Sequence, residues 1–340
     1  MRVKLTAGTN VGCVRTNNED NFITNIDLSR PDWLLPKDMS EAVKLCDEGC
    51  AFVVADGMGG LNAGEVASAI AVEHVKQEFL DANLKKIVKS EKDVEKFMRE
   101  IVEKADAAIK KRVEEDPETK GMGTTLIFAW VIGRKAYLSW CGDSRGYLFN
   151  PASGLKRISK DHSYVQELVD AGKLDEDLAF DHPNSNIITR CLGDFKDRAN
   201  PDFAVVSLKK GDRILLCSDG LCGLCRDEEI IVTMNDFCEN IEVCKKELIN
   251  AALNAGGYDN VTIALLEVVE DNEEIDVANT CEIATKKNNR TKKRKKDKKG
   301  SRAVLFGFIF IIILLLIIAL MLKDTELLSS IRESMANSNS

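Results

Sequence analysis

Short runs of apolar and β-branched residues, many bounded by Gly, Asp or Asn, recur through the first 268 positions of the chain. They predict strands at Lys4–Gly8, Asn21–Ile26, Ala51–Ala55, Thr124–Ile132, Lys135–Cys141, Ser144–Phe149, Phe203–Ser207, Arg213–Cys217 and Val261–Val268. Two longer stretches carry the helical period instead. Gly64–Leu80 places Ala67, Ile70, Ala71, His74, Val75 and Phe79 on one face. Asp93–Val113 repeats Val94, Phe97, Ile101, Ala105, Ala108 and Ile109 at three and four. Shorter helices are expected at Ser163–Ala171, ended by Gly172, at Asp227–Met234, and at Ile241–Ala255, where Gly256-Gly257 supplies the stop. Strands grouped as hairpins and interrupted by a helical pair indicate an α+β fold, with antiparallel sheets packed together and helices on their outer faces. Asp27–Gly49 reads as a long loop with one helical turn, and His162–Cys191 as a second irregular stretch around its short helix.

Acidic residues recur where these strands end. In AFVVADGMGG the strand stops at Asp56, and RILLCSDG repeats that grammar with Asp219. Asp259 stands just ahead of a strand in GGYDNVTIALLEV, Asp143 between two strands in AYLSWCGDSRGYLF, and Glu19 and Asp20 ahead of one in VRTNNEDNFIT. Each alone reads as a turn or a strand-end cap. Brought together they would repel one another unless protonated or bridged by cations. An oxygen-rich set with few histidines suits Mg²⁺ or Mn²⁺ and disfavours zinc. His74, His162 and His182 lack a metalloprotease spacing and read as structural or surface residues. Cys222 and Cys225 in CGLC have the spacing of a zinc or redox pair, but no second pair follows, and packing is the plainer reading.

Charge is divided unevenly along the chain. Residues from 286 onward carry 13 Lys/Arg against 4 Asp/Glu, so the formal −8 of the whole chain conceals about −17 before them. A domain that acidic repels nucleic acid. The 11 cysteines are odd in number and lack a framework spacing, and the N-terminus has no apolar core of a secretory signal; both point to reduced thiols in a reducing compartment.

Residues 303–322, AVLFGFIFIIILLLIIALML, form 20 consecutive positions without a charge. As a helix they would span roughly 30 Å, the thickness of a bilayer core. The preceding KKNNRTKKRKKDKKGSR, Lys286–Arg302, holds 11 Lys/Arg and one Asp. That flank is expected to stay in the cytoplasm and to attract anionic lipid headgroups. The expected organisation is a large N-terminal domain at 1–269, an acidic-then-basic linker at 270–302, a transmembrane helix at 303–322 and a short outside tail at 323–340. It makes the chain a single-pass cell-membrane protein with its domain in the cytoplasm and its C-terminus outside.

The motifs VGCVRTNNEDNF, VVADGMGG with AGEVAS, GMGTT, CGDSRGYLF, DHSYVQELVDAG, NIITRCLG, LLCSDGL and GGYDNVT stand in this order in the chain. Together they resemble the 2C-type metal-dependent Ser/Thr protein phosphatases, and the glycine-rich form after Asp56 resembles the bacterial branch. The resemblance covers about residues 1–268. It implies a four-layer sandwich of two antiparallel β-sheets flanked by α-helices, with two Mn²⁺ or Mg²⁺ ions, and a third in some members, at one end. It also implies hydrolysis of phosphoserine and phosphothreonine on proteins by a two-metal-activated water, opposing Ser/Thr kinases, an activity that the expected anchor would place at the membrane.

By the same resemblance, Asp56 bridges both metals, the carbonyl of Gly57 binds one, and Asp219 and Asp259 complete the other's shell. Asp20, with Glu19 beside it, acts mainly through water, and Asp143 joins Asp219 in a weaker third site. Arg15 holds the substrate phosphate, as guanidinium geometry suits. His162–Cys191 matches the flap region where substrates are selected. Two positions depart from the family pattern: Asn10 stands where Asp is usual, and Met58 where some relatives carry a proton-donating His. No cysteine is followed six positions later by arginine, so the thiolate loop of tyrosine phosphatases is absent. The alternative function, a catalytically weak membrane-tethered scaffold that binds phosphoproteins, would be favoured by a missing core aspartate, and none is missing.

Overall fold

In the run CAFVVA, Phe52 and Val54 pack into one hydrophobic cluster and Ala51, Val53 and Ala55 into another, and all are buried. A strand apolar on both faces belongs in an inner layer, and the remaining elements arrange themselves around it. The computed structural model describes residues 1–33, 41–59, 63–193 and 199–271. In chain order they begin with β1 (Arg2–Asn10), β2 (Asp20–Asn25), β3 (Val43–Lys44) and β4 (Cys50–Met58). Helices α1 (Ala63–Asp81), α2 (Leu84–Ile87) and α3 (Glu91–Glu115) follow, then a 3-10 turn at Pro117–Thr119. Next come β5 (Gly123–Thr124), β6 (Leu126–Ile132), β7 (Lys135–Cys141), β8 (Arg145–Asn150) and β9 (Gly154–Arg157). Helices α4 (Tyr164–Asp170) and α5 (Glu176–Ala179) lead to β10 (Asp202–Ser207) and β11 (Arg213–Cys217). The last elements are α6 (Asp219–Cys222), α7 (Asp227–Asp236), α8 (Ile241–Asn254) and β12 (Val261–Glu270).

Two antiparallel sheets result, with strand orders β3-β1-β12-β11-β8-β9 and β10-β7-β6-β4-β2. Leu5, Ile214, Leu216, Ala264 and Leu266 of the first meet Phe52, Val54, Ile127, Ala129 and Leu138 of the second in the core between them. On the outer face of the second sheet, Val53, Phe128 and Trp130 pack against α1 and α3. Ala67 and Ala71 let α1 lie close, while Phe79 and Phe97 meet the Trp130 ring edge-on at 5.1 and 5.8 Å. Ser90 opens α3 by accepting a hydrogen bond from the Asp93 N–H. On the outer face of the first sheet, Leu215, Ile263 and Leu265 pack against α6, α7 and α8. The expected α+β layers are therefore present.

Several expected boundaries shift. The strand expected to end at Ala55 continues through Asp56 and Gly57 to Met58, because Gly57 and Met58 pair with Thr124 and Gly123 of β5. That pairing splits the expected Thr124–Ile132 strand at Thr125. The strand expected from Ser144 starts at Arg145, and Ile70 and His74 of α1 are only half-buried. Among the described residues of Asp27–Gly49 there is no helical turn but the short strand β3, and Trp33 is buried against Phe79 at 5.6 Å. The short elements β3, β9, α2, α5 and α6 have too few residues to show a period. His162 is buried, with its Nδ1 accepting from the Gly142 N–H, in keeping with a structural role. Cys222 and Cys225 are free thiols buried in the outer core, in keeping with packing. The expected linker from residue 272, the transmembrane helix and the tail lie outside the described residues.

Candidate metal centre

Antiparallel register gathers the strand-end acids. Asp56 lies near the end of β4, directly opposite Asp20, the first residue of β2. Val261, the first residue of β12, faces Asn10, the last of β1, so the loops carrying Asp259 and Arg15 meet at that end of the sandwich. β11 ends opposite the start of β8, which sets Asp219 near Asp143. Asp20 and Asp143 are buried, whereas Asp56, Asp219 and Asp259 keep partial access to solvent.

Their mutual effects show in their acidities. Burial, then repulsion from Asp219, Asp20 and Asp143, holds the Asp56 carboxyl well above the usual carboxylate range. Asp219 is raised by burial and by Asp259, and its carboxyl shares a hydrogen bond with that of Asp56. Asp143 is raised well above its usual range by burial, then by Asp219 and Asp161. Asp20 is pushed up to about 8 chiefly by burial, although Thr262 and the Ser218 hydroxyl, 2.7 Å from Oδ2, donate to it. Glu19 is raised by burial and lies at the rim.

The backbone around Asp56 is fastened by residues whose roles the sequence did not disclose. The Asp56 N–H donates to Thr125 Oγ1 at 3.0 Å, and its carbonyl accepts from the Thr125 N–H and the Thr124 hydroxyl, each at 2.8 Å. Thr125 also shares a 2.7 Å hydrogen bond with Ser144, the neighbour of Asp143. Asn260 fastens the opposite side: its amide donates to the carbonyls of Val11 and Asn17 and accepts from the Glu19 N–H. Both lie in motifs quoted above, GMGTT and GGYDNVT, yet nothing local signals which distant backbone each grips. Asn10 accepts from the Gly12 N–H at 2.8 Å and so shapes its own loop.

Gly57 has a steric reason to be glycine. A Cβ there would stand 2.2 Å from the Gly64 carbonyl oxygen and 2.5 Å from that of Glu19, both backbone atoms. The Gly57 N–H donates to the same Glu19 carbonyl at 3.2 Å. Replacing it by alanine must push α1 off β4, at a cost of about 3 kcal/mol. Gly57→Ala is therefore expected to lower the melting temperature by roughly 6–12 °C. A thermal melt unchanged from the parent would refute this packing argument.

Arg15 Nη2 pairs with Asp259 Oδ2 at 2.8 Å, and both side chains are substantially exposed. As placed, no three acidic, histidine or cysteine side chains among the described residues close around a single point. Asp20 is turned to Ser218 and Asp259 to Arg15. The donor chemistry nonetheless fits hard divalent cations. The facing side chains are carboxylates, several hold one another's pKa up by repulsion, and Asp143 Oδ1 is buried without a hydrogen-bond partner.

Comparison with known proteins agrees with this geometry. The model of the family described as protein phosphatase 2C matches residues 36–255. Protein phosphatase PhpP of Streptococcus pneumoniae is 34% identical over 269 residues, covering 78% of this chain and 98% of that protein. The serine/threonine phosphatase stp of Listeria monocytogenes is 34% identical over 218 residues, 63% of this chain and 83% of its own length. Among solved structures, the catalytic domain of the serine threonine protein phosphatase PstP, in complex with two manganese ions, superposes with a TM-score of 0.61 at 32% identity. That match covers 79% of this chain and 99% of PstP's catalytic domain. With the sandwich, the gathered carboxylates and these relatives in agreement, the chain belongs to the protein phosphatase 2C family and is a metal-dependent protein serine/threonine phosphatase.

Proposed function

We propose that this phosphatase works as a membrane-tethered enzyme with two Mn²⁺ or Mg²⁺ ions, and a third held more weakly, dephosphorylating proteins modified by membrane-associated Ser/Thr kinases. The observation that carries the metal assignment is the meeting of Asp20, Asp56, Asp143 and Asp219, whose carboxyls are all raised by burial and several by one another. Asp56, the Gly57 carbonyl, Asp219 and Asp259 would hold the two ions, with Asp20 and Glu19 acting through water and Asp143 joining Asp219 at the third. When bound, such ions supply a nucleophile at neutral pH and offset charge on the phosphoryl oxygens.

The chain's own part is positioning. Thr124 and Thr125 hold the Asp56 backbone, and Ser218 and Thr262 orient Asp20. Arg15 is assigned to the substrate phosphate. Its exposed pair with Asp259 is worth at most about 1 kcal/mol, so a phosphate can take the guanidinium over at little cost.

Three features support the tether. They are the uncharged run 303–322, the basic flank Lys286–Arg302 with its attraction for anionic lipid, and the point where the chain leaves the domain. β12 runs 10 residues from the metal end to Glu270, so the exit lies about 30 Å from the site, at the other end of the sandwich. The domain would then be cytoplasmic, the last residues outside, and substrates at the membrane would meet a raised local enzyme concentration.

The full chain in detergent should hydrolyse a phosphothreonine peptide with Mn²⁺ and stop in chelator. Removing residues 286–340 should leave that rate within about two-fold while moving the protein from the membrane to the soluble fraction and slowing dephosphorylation of membrane substrates in cells. Unchanged fractionation would refute the tether. Metal binding without turnover would favour the phosphoprotein-binding scaffold.

A further inference from the structure

A groove of about 370 Å³ opens from the metal centre, its inner wall formed by Asp143, Asp219 and Asp259. The outer walls come from α5, from the start of α7 and from Tyr258. Three arginines line it, and each is already engaged. Arg145 and Arg157 both bind Asp161, at 2.8 and 2.6 Å. Arg226 pairs with Asp181 and lies over the Phe180 ring at 4.2 Å. The acids are not balanced in the same way. Glu176 and Asp177 on α5 and Glu228 on α7 are exposed and have no hydrogen-bond or ion-pair partner among the described residues. At the inner end, buried Asp143 Oδ1 likewise has none. Tyr258, 62% exposed, adds an aromatic surface along the wall.

We infer that this groove receives a basic stretch of the phosphoprotein substrate, with Glu176, Asp177 and Glu228 selecting Lys or Arg close in sequence to the phosphorylated Ser or Thr. The inference rests on the phosphatase activity and concerns which substrates it prefers. Charge complementarity names the occupant: cationic heads meet three unpaired carboxylates, and their aliphatic stems lie along Tyr258. An acidic stretch would be repelled by the same groups, so selection works in both directions. A peptide that continues past the phosphate has this groove as its neighbour, because Asp219 and Asp259 belong to both.

The test uses the full chain in detergent with Mn²⁺ and phosphothreonine peptides carrying Lys, Ala or Glu within four positions of the phosphoresidue, with p-nitrophenyl phosphate as a substrate too small to reach the groove. The Lys peptide should exceed the Glu peptide in kcat/KM by about ten-fold, mostly through KM, and the gap should shrink with added salt. The combined variant Glu176→Gln, Asp177→Asn, Glu228→Gln should reduce that preference to within about two-fold while p-nitrophenyl phosphate turnover is retained. Glu228→Lys alone should move the preference toward the Glu peptide. Equal preference before and after substitution, with p-nitrophenyl phosphate turnover intact, overturns the groove assignment alone. Failure of the unmodified chain to hydrolyse any of these substrates overturns the phosphatase activity itself, and the groove assignment with it.

Discussion

Asp56→Asn is expected to lower phosphothreonine-peptide hydrolysis by about a thousand-fold or more while raising the melting temperature of the protein in chelator. The two effects have one origin. Asp56 shares a hydrogen bond with Asp219 and is repelled by Asp219, Asp20 and Asp143. Asparagine keeps the shape of the side chain and needs no proton taken up on folding to sit among those carboxylates, so the variant escapes a cost that burial and repulsion impose on the parent's Asp56. Relief of about 1 kcal/mol would raise the melting temperature by roughly 2–4 °C. With saturating Mn²⁺ the order should reverse, since the parent gains binding energy that the variant lacks. Differential scanning fluorimetry in both conditions, beside the peptide assay, checks all three statements. A variant that keeps its activity, or melts lower than the parent in chelator, would show that Asp56 is not part of a repelling cation site.

The second large effect is a stability that falls with pH when cations are withheld. Burial, more than any neighbour, pushes Asp20 up to about 8 in the folded domain, against 3.8 for a free aspartate. Between those values the folded state holds a proton that the unfolded chain has released, so stability declines as pH rises through that window and levels off above it. A tenfold difference in proton affinity is worth about 1.4 kcal/mol, so even half of the span between the two values amounts to a few kcal/mol. In chelator the melting temperature should drop by about 5 °C or more from pH 5 to pH 8. Mn²⁺ should shrink or reverse that drop, because it binds the ionised carboxylates and its contribution therefore grows with pH. Asp20→Asn should lessen the slope in chelator by its own share, leaving the part that Asp56, Asp143 and Asp219 contribute with the same sign. A parent melt in chelator that is level or rises over that range would refute the linkage.

Local patterns carried much of the fold. The run CAFVVA, the three-and-four repeat of α3 and the glycine stop after α8 each depend on neighbours within a few residues, and each appears close to where the periodicity puts it. Elements of two to four residues, such as β3, β5 and α6, did not show, because they exist only through a partner elsewhere: β5 pairs with β4 and β3 with β1. The candidate site divides in the same way. Its acids were legible because strand ends followed by glycine or turn residues recur, and the motifs that hold them follow one another in a family's order. The hydroxyl grip of Thr124 and Thr125 on Asp56 was not legible, since it spans 68 and 69 positions.

From sequence alone came the α+β class, the strand-end carboxylates, the acidic domain with its basic flank, and the uncharged run of 20 residues. Tertiary structure alone decided that Asp20 stands opposite Asp56, that Gly57 is glycine because α1 and the Glu19 backbone leave no room for a Cβ, and that Arg15 reaches Asp259 across 244 positions. It also decided which acids of the groove have partners and which do not. Periodicity and turn chemistry are properties of adjacent residues and are written locally. The acidity of a carboxylate and the necessity of a glycine depend on whatever the folded chain packs against them, and that is set only when distant strands come into register.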